Sequence, residues 1–118
     1  KKTWDRFYSD TYRNNKIKNN TFEKISKLKV YCEENNIKFI IHNIPELRNL
    51  NKYRFLKETN LIENFALSNN IEFINSHLTL KNYNASDLWV TKLDSHANDK
   101  AHKIMADFIY LKIKKFLK

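Results

Sequence analysis

The chain contains no glycine. Any backbone position that needs a left-handed conformation must therefore fall on another residue. Asn tolerates that region best, because its short amide can bond to nearby backbone. Seventeen Asn are present among 118 residues, enough to take over the turns that Gly normally serves. The absence of Gly also excludes three devices within these residues: the phosphate-cradling loop, the dinucleotide fingerprint and the Gly-flanked serine elbow. Each needs a backbone approach or a φ angle that a Cβ obstructs.

Two Asn pairs mark a repeated transition. Glu33-Glu34-Asn35-Asn36-Ile37-Lys38-Phe39-Ile40 echoes Leu67-Ser68-Asn69-Asn70-Ile71-Glu72-Phe73-Ile74. In each, a helical pattern stops at the Asn pair, where an αL residue suits a helix C-terminus, and an apolar strand follows. The first strand, predicted over Ile37–His42, is nearly all apolar, which predicts burial on both faces in a parallel sheet covered by helices. The second, Ile71–Ile74, is shorter and is predicted nearer an edge.

The helices show their faces in the spacing of apolar residues. Asn20 and Glu23 form a predicted capping pair ahead of Phe22, Ile25, Leu28 and Cys32. Asn60 and Glu63 repeat the device ahead of Ile62, Phe65 and Ala66. A last helix is predicted from about Asn98 to Leu117, with Ala101, Ile104, Met105, Phe108 and Leu111 as its buried stripe. Lys112, Lys114, Lys115 and Lys118 load its C-terminal end, where cations suit the helix dipole. At the other end of the chain, Trp4, Phe7, Tyr8 and Tyr12 have helical spacing among basic residues. Such a stripe could stack on nucleic-acid bases, but core or a docking face is the commoner use.

The order helix–strand–helix–strand–helix is that of an α/β domain. With 42% hydrophobic residues, the 118-residue chain suits one domain, or part of one. The net charge of +9 could attract nucleic acid, anionic lipid or acidic glycans. No nucleic-acid module accompanies that charge, so a nucleic-acid partner is not expected, and no apolar run is long enough for a membrane span. Cys32 is the single cysteine and forms no internal disulfide. The first residue is Lys1 rather than Met, from which an excised or processed piece is expected. No targeting segment is read in the chain, and the compartment, cytoplasm or cell envelope, stays open.

Functional groups in an α/β domain gather beyond the C-terminal ends of the strands. His42, Asn43 and Glu46 follow the first strand, and Asn75, Ser76 and His77 the second. Asp94 and His96 follow Leu88-Trp89-Val90, a short extended candidate. These three groups are expected to meet at one rim. An Asp that holds an imidazole in one tautomer makes that ring a general base. A zinc reading of Asp94, His96 and His102 is disfavoured because the two His are six apart, not at the i, i+4 spacing of a helical pair. No metal and no cofactor is expected.

The run Leu88-Trp89-Val90, Asp94-Ser95-His96-Ala97-Asn98 and Ala101-His102, followed by an amphipathic helix, resembles the C-terminal block of SGNH/GDSL-type serine hydrolases. The strand ending in Ile44-Pro45-Glu46 is similar to a strand of the same family. The resemblance spans about residues 20–118. It implies a three-layer αβα, flavodoxin-like fold with a parallel sheet, of which this chain is the C-terminal part. It also implies ester hydrolysis, with Asp94 and His96 completing a Ser-His-Asp triad. Ala97 stands where the family has Pro, and Ala101 where it has Gly. The Gly-Asp-Ser block and the oxyanion-hole residues have no counterpart in these 118 residues. None of the serines here has a Gly-flanked setting, so the chain by itself is expected not to hydrolyse esters. The implied substrate is an ester or an acetylated carbohydrate, contacted by His42, Asn43 and Glu46. The implied partner is a serine-bearing half, or another chain, at the sheet edge left by Ile37–His42. The alternative is a non-catalytic basic α/β interaction module.

Overall fold

A computed structural model describes residues 3–117. Two compact units divide the chain: the first holds the residues up to Ile41 together with Arg54–Phe73, the second His42–Tyr53 and the residues from Ile74 onward. The fold is α/β, with helices flanking two short sheets. Strands β1 (Ile40–Asn43) and β2 (Glu72–Asn75) form a two-stranded parallel sheet. A second, antiparallel sheet is a hairpin of β3 (Trp89–Thr91) and β4 (Asp94–Ala97). Both parallel strands begin later than the apolar runs suggest. Ile37 is exposed, and β1 is only partly buried along its length, whereas the end of β2 is buried.

The first unit contains α1 (Trp4–Arg13), α2 (Asn15–Glu34) and α3 (Leu56–Ser68). The break between α1 and α2 requires neither Pro nor Gly. Asn14 takes an extended conformation, and its Oδ1 accepts the Ile17 N–H at 3.2 Å. One side chain thus satisfies an orphan donor of the new helix. Helix α2 therefore starts before the Asn20–Glu23 pair, which lies inside it, and Glu23 instead pairs with Lys27 one turn on, at 2.7 Å. Asn60 and Glu63 likewise fall inside α3, whose N-cap is Phe55.

Both Asn pairs do what the sequence predicts. Asn36 and Asn70 have φ of 56° and 55°. Behind them, Ile37 N–H donates to the Cys32 carbonyl at 2.7 Å and Ile71 N–H to that of Ala66 at 2.8 Å. Asn36 and Asn70 bond back to Glu33 and Leu67, which completes the Schellman pattern at both helix ends. Phe22 and Phe65 stack with centroids 4.1 Å apart, which joins α2 to α3. Cys32, Ala66 and Ile71 are buried, but Leu28, predicted on the same face as Cys32, is exposed. Of the N-terminal aromatic stripe, Phe7 and Tyr8 are exposed, Tyr8 meets Phe55 edge-on, and the Trp4 side chain lies outside the described residues.

The second unit builds its core from Leu47, Leu50, Leu80, Leu88, Ala101 and Met105, with Trp89, Ala97 and Ile104 packed against it. Leu80 belongs to a short helix α4 (His77–Leu80), and Leu88 ends a 3-10 turn (Ala85–Leu88). Ala101 and Met105 come from α5 (Asp99–Ile113), which passes into a 3-10 turn at Lys114–Phe116. Leu111 is exposed, so the buried stripe of α5 is shorter than its sequence suggests. Lys112 sits in its last turn as expected, and Lys118 lies outside the described residues. Each fully buried Leu contributes about 1.5–3 kcal/mol relative to exposure. The Trp89 indole N–H donates to the Leu47 carbonyl at 3.1 Å, which gives the ring's one polar atom a partner where it enters the core.

Candidate functional site

The second unit carries two histidine-centred groups. The first stands where β1 and β2 end. His42 Nε2 and the Ser76 hydroxyl share a hydrogen bond of 2.7 Å. Asn43 Nδ2 donates to Asn75 Oδ1 at 2.9 Å, and that oxygen also accepts the His77 N–H at 3.1 Å. The Ser76 N–H donates to the Asn43 carbonyl at 3.1 Å. The two residue groups that the sequence places after the parallel strands therefore do meet.

Next to them His77, the last of the group predicted after the second strand, is buried. Its Nε2 lies 2.8 Å from the Leu50 carbonyl, which can only accept, so the proton sits on that nitrogen. Tyr53 stacks on its ring with centroids 4.4 Å apart. Glu46 is turned to its own loop, where its carboxylate accepts from the Arg48 N–H at 3.1 Å and pairs with the Arg48 side chain.

A serine hydrogen-bonded to a histidine invites comparison with a nucleophile and its base. Ser76 is fully buried, however, and a hydroxyl without solvent access cannot meet a substrate carbonyl. Its flanking residues are Asn75 and His77 rather than glycines. Burial pushes His42 below its ordinary pKa, so the ring is neutral at neutral pH. A neutral imidazole, a hydroxyl and two amides satisfy one another here, as buried polar groups must.

The second group lies on the hairpin. Residues two apart on a strand point to the same face, and β4 places Asp94 and His96 in that relation. Asp94 Oδ1 accepts from the His96 backbone N–H at 3.0 Å and from its Nδ1–H at 2.5 Å. The first of these bonds, then the second, holds the Asp94 carboxyl below its ordinary pKa. With the Nδ1 proton committed to the carboxylate, Nε2 keeps its lone pair free to accept a proton. The His96 side chain is 91% exposed and that of Asp94 47%. Among the described residues, no hydrogen bond joins this pair to the cluster at the ends of β1 and β2.

Two further side chains hold the hairpin. Thr91 Oγ1 accepts the N–H groups of Leu93 and Asp94, at 3.2 and 3.1 Å, and so closes the turn without a glycine. Asn98 caps α5 by accepting the Ala101 N–H at 3.0 Å. Its amide also donates to the carbonyls of Asp87 and Trp89, each at 3.0 Å. Asn98 thus ties the start of α5 to the strand paired with β4. His102 stands exposed on α5, as expected of a helix-surface residue. Among the described residues, no helix is long and apolar enough to cross a membrane. The chain matches no protein-family model, no curated protein and no solved structure.

Proposed function

We propose that Asp94 and His96 are the orienting carboxylate and the general base of a Ser-His-Asp triad in an SGNH-type ester hydrolase whose serine is supplied from outside these 118 residues. The 2.5 Å bond from His96 Nδ1 to Asp94 carries this reading. It fixes the tautomer that leaves Nε2 basic, and the exposure of His96 leaves that nitrogen open to an incoming group. His96 takes the proton of the serine as its oxygen attacks the ester carbonyl. Asp94 stabilises the resulting imidazolium, which returns the proton to the departing alcohol. Donors for the tetrahedral oxyanion must also come from elsewhere, because none is preorganised beside the pair.

In this reading the chain is the C-terminal part of a three-layer αβα domain. β1 pairs only with β2 among the described residues, so its other edge is available to continue a parallel sheet. The ester or the acetylated carbohydrate would lie near His42 and Asn43 at the end of β1 and Glu46 in the loop after it, and would have to compete with their present partners Ser76, Asn75 and Arg48.

The test is p-nitrophenyl acetate turnover together with fluorophosphonate labelling. The isolated chain is expected to show no turnover that His96→Ala removes. The complete natural gene product is expected to carry a labelled serine, with labelling abolished by His96→Ala. Turnover by the isolated chain that is lost in His96→Ala would refute the external serine. Labelling indifferent to His96 would refute the triad. Salt-sensitive binding to anionic vesicles or RNA, with no labelling, would favour the basic interaction module instead.

A further inference from the structure

We propose that the first unit binds a small zwitterion, with an ammonium at one end and a carboxylate or phosphate at the other, in the cleft lined by α1, the start of α2 and α3. The cleft has a volume of about 330 Å³, and its walls include Tyr12, Arg13, Lys18, Lys57, Glu58 and Leu61. Glu58 as a residue is half-buried and lines the cleft, and its Oε2 is buried with no hydrogen-bond partner among the described residues. A carboxylate oxygen left in that state is costly, and it marks a place for a missing donor.

The surroundings narrow the donor. Tyr12 lies close enough to Glu58 that burial first, and the carboxylate's charge second, raise its phenol above the ordinary pKa. An anionic oxygen in a desolvated wall favours a charged donor over a neutral one. A divalent metal does not fit, because Glu58 is the only carboxylate among the lining residues and Arg13, Lys18 and Lys57 face the same cleft. Those three cations leave the lining positive and call for an anionic group on the same ligand. Among the described residues, Arg13 is held by Asp10 at 4.0 Å, and Lys18 by the neutral Asn15 amide at 3.0 Å. Lys57 has no ion-pair partner among the described residues. A bare anion would meet the cations and leave Oε2 unsatisfied, and a bare amine would do the reverse. Leu61 adds an apolar contact for a short carbon linker. None of these residues takes part in the proposed triad, so failure of either proposal leaves the other standing.

The experiment is an amide-resonance titration of the whole chain with phosphoethanolamine, and with inorganic phosphate and ethylamine as its two halves. Phosphoethanolamine is expected to shift the Tyr12, Lys57 and Glu58 signals and to bind about tenfold or more tighter than either half. Glu58→Gln should remove that advantage while leaving the weak phosphate affinity in place. Lys57→Met, a change at an exposed residue that serves if Glu58→Gln fails to fold, should weaken phosphate and spare ethylamine. Phosphoethanolamine binding no tighter than phosphate, or shifts confined to other residues, would overturn the proposal. So would a Lys57→Met variant that binds all three probes like the parent.

Discussion

Two histidines in the second unit each hold an oxygen partner, and their surroundings are opposite. His42 and Ser76 are tucked behind the ends of the parallel strands, and Ser76 is fully buried. His96 and Asp94 stand on a hairpin face with the imidazole almost wholly in solvent. In the first pair His42 Nε2 and the Ser76 hydroxyl engage each other, so that bond goes into specifying how β1 and β2 end. The exposed pair is held by a strand's two-residue period and leaves one basic nitrogen unused. A histidine with an oxygen partner thus stands beside a buried hydroxyl in one place and beside an exposed carboxylate in the other. The two differ in partner and in solvent access, and sequence spacing alone does not convey the second.

The sharpest way to break this comparison is Asp94→Asn. If the exposed pair acts in catalysis, the complete natural gene product should lose about 10⁴-fold in kcat through the wrong tautomer, with only a small drop in melting temperature from the lost carboxylate bonds. A loss of stability without a loss of rate would make Asp94 a turn residue and nothing more. Asn98→Ala comes next. It deletes the cap of α5 and both side-chain bonds to the Asp87 and Trp89 carbonyls, for an expected cost of about 2 kcal/mol in urea unfolding. Ser76→Ala tests the buried member. It leaves His42 Nε2 without its partner at a site of low solvent access, and should cost about 1–2 kcal/mol. Under the proposed triad, Ser76→Ala should leave ester turnover by the complete natural gene product intact. Loss of turnover there, at normal stability, would mean that the two pairs had been assigned the wrong way round.

Some of this was legible from the residue order and some was not, for physical reasons. The two Asn pairs announced both helix ends because αL geometry admits few side chains and glycine is absent. The start of α5 was legible because an Asn just ahead of an apolar stripe is a strong cap. The start of α2 was not, because four Asn between residues 14 and 20 compete for the role and only three-dimensional placement selects Asn14. Of the hairpin, Leu88-Trp89-Val90 announced the first strand, and the second was hidden. Asp-Ser-His-Ala lacks the β-branched and aromatic residues of a typical strand, and its turn is closed by a Thr hydroxyl instead of a glycine. Asp94 and His96 were readable as a pair, but that they sit on a second strand, paired with the first, was not. The partners of His77 were unreadable, since Leu50 and Tyr53 lie more than twenty residues upstream.

The smallest expected effect separates the two pairs by their pH windows. Burial lowers the pKa of His42 from its ordinary value near 6.5. Above that value the ring is neutral in both folded and unfolded chains, and the stability linked to it is fully present. As the pH falls below it, the unfolded chain takes up a proton that the folded chain resists, so stability declines until the lower folded value is passed. Asp94 behaves differently. Its pKa is lowered from 3.8 by the His96 bonds, so its contribution holds above that value and fades only as more acid protonates the folded carboxylate. Urea midpoints taken from neutral pH downward should therefore fall first in the His42 window, and His42→Gln should flatten that segment of the curve. Asp94→Asn should alter the most acidic part and leave the effect of His42→Gln on the earlier segment unchanged. If His42→Gln acted differently in an Asp94→Asn background, the two pairs would be coupled, and the separation between them would fail.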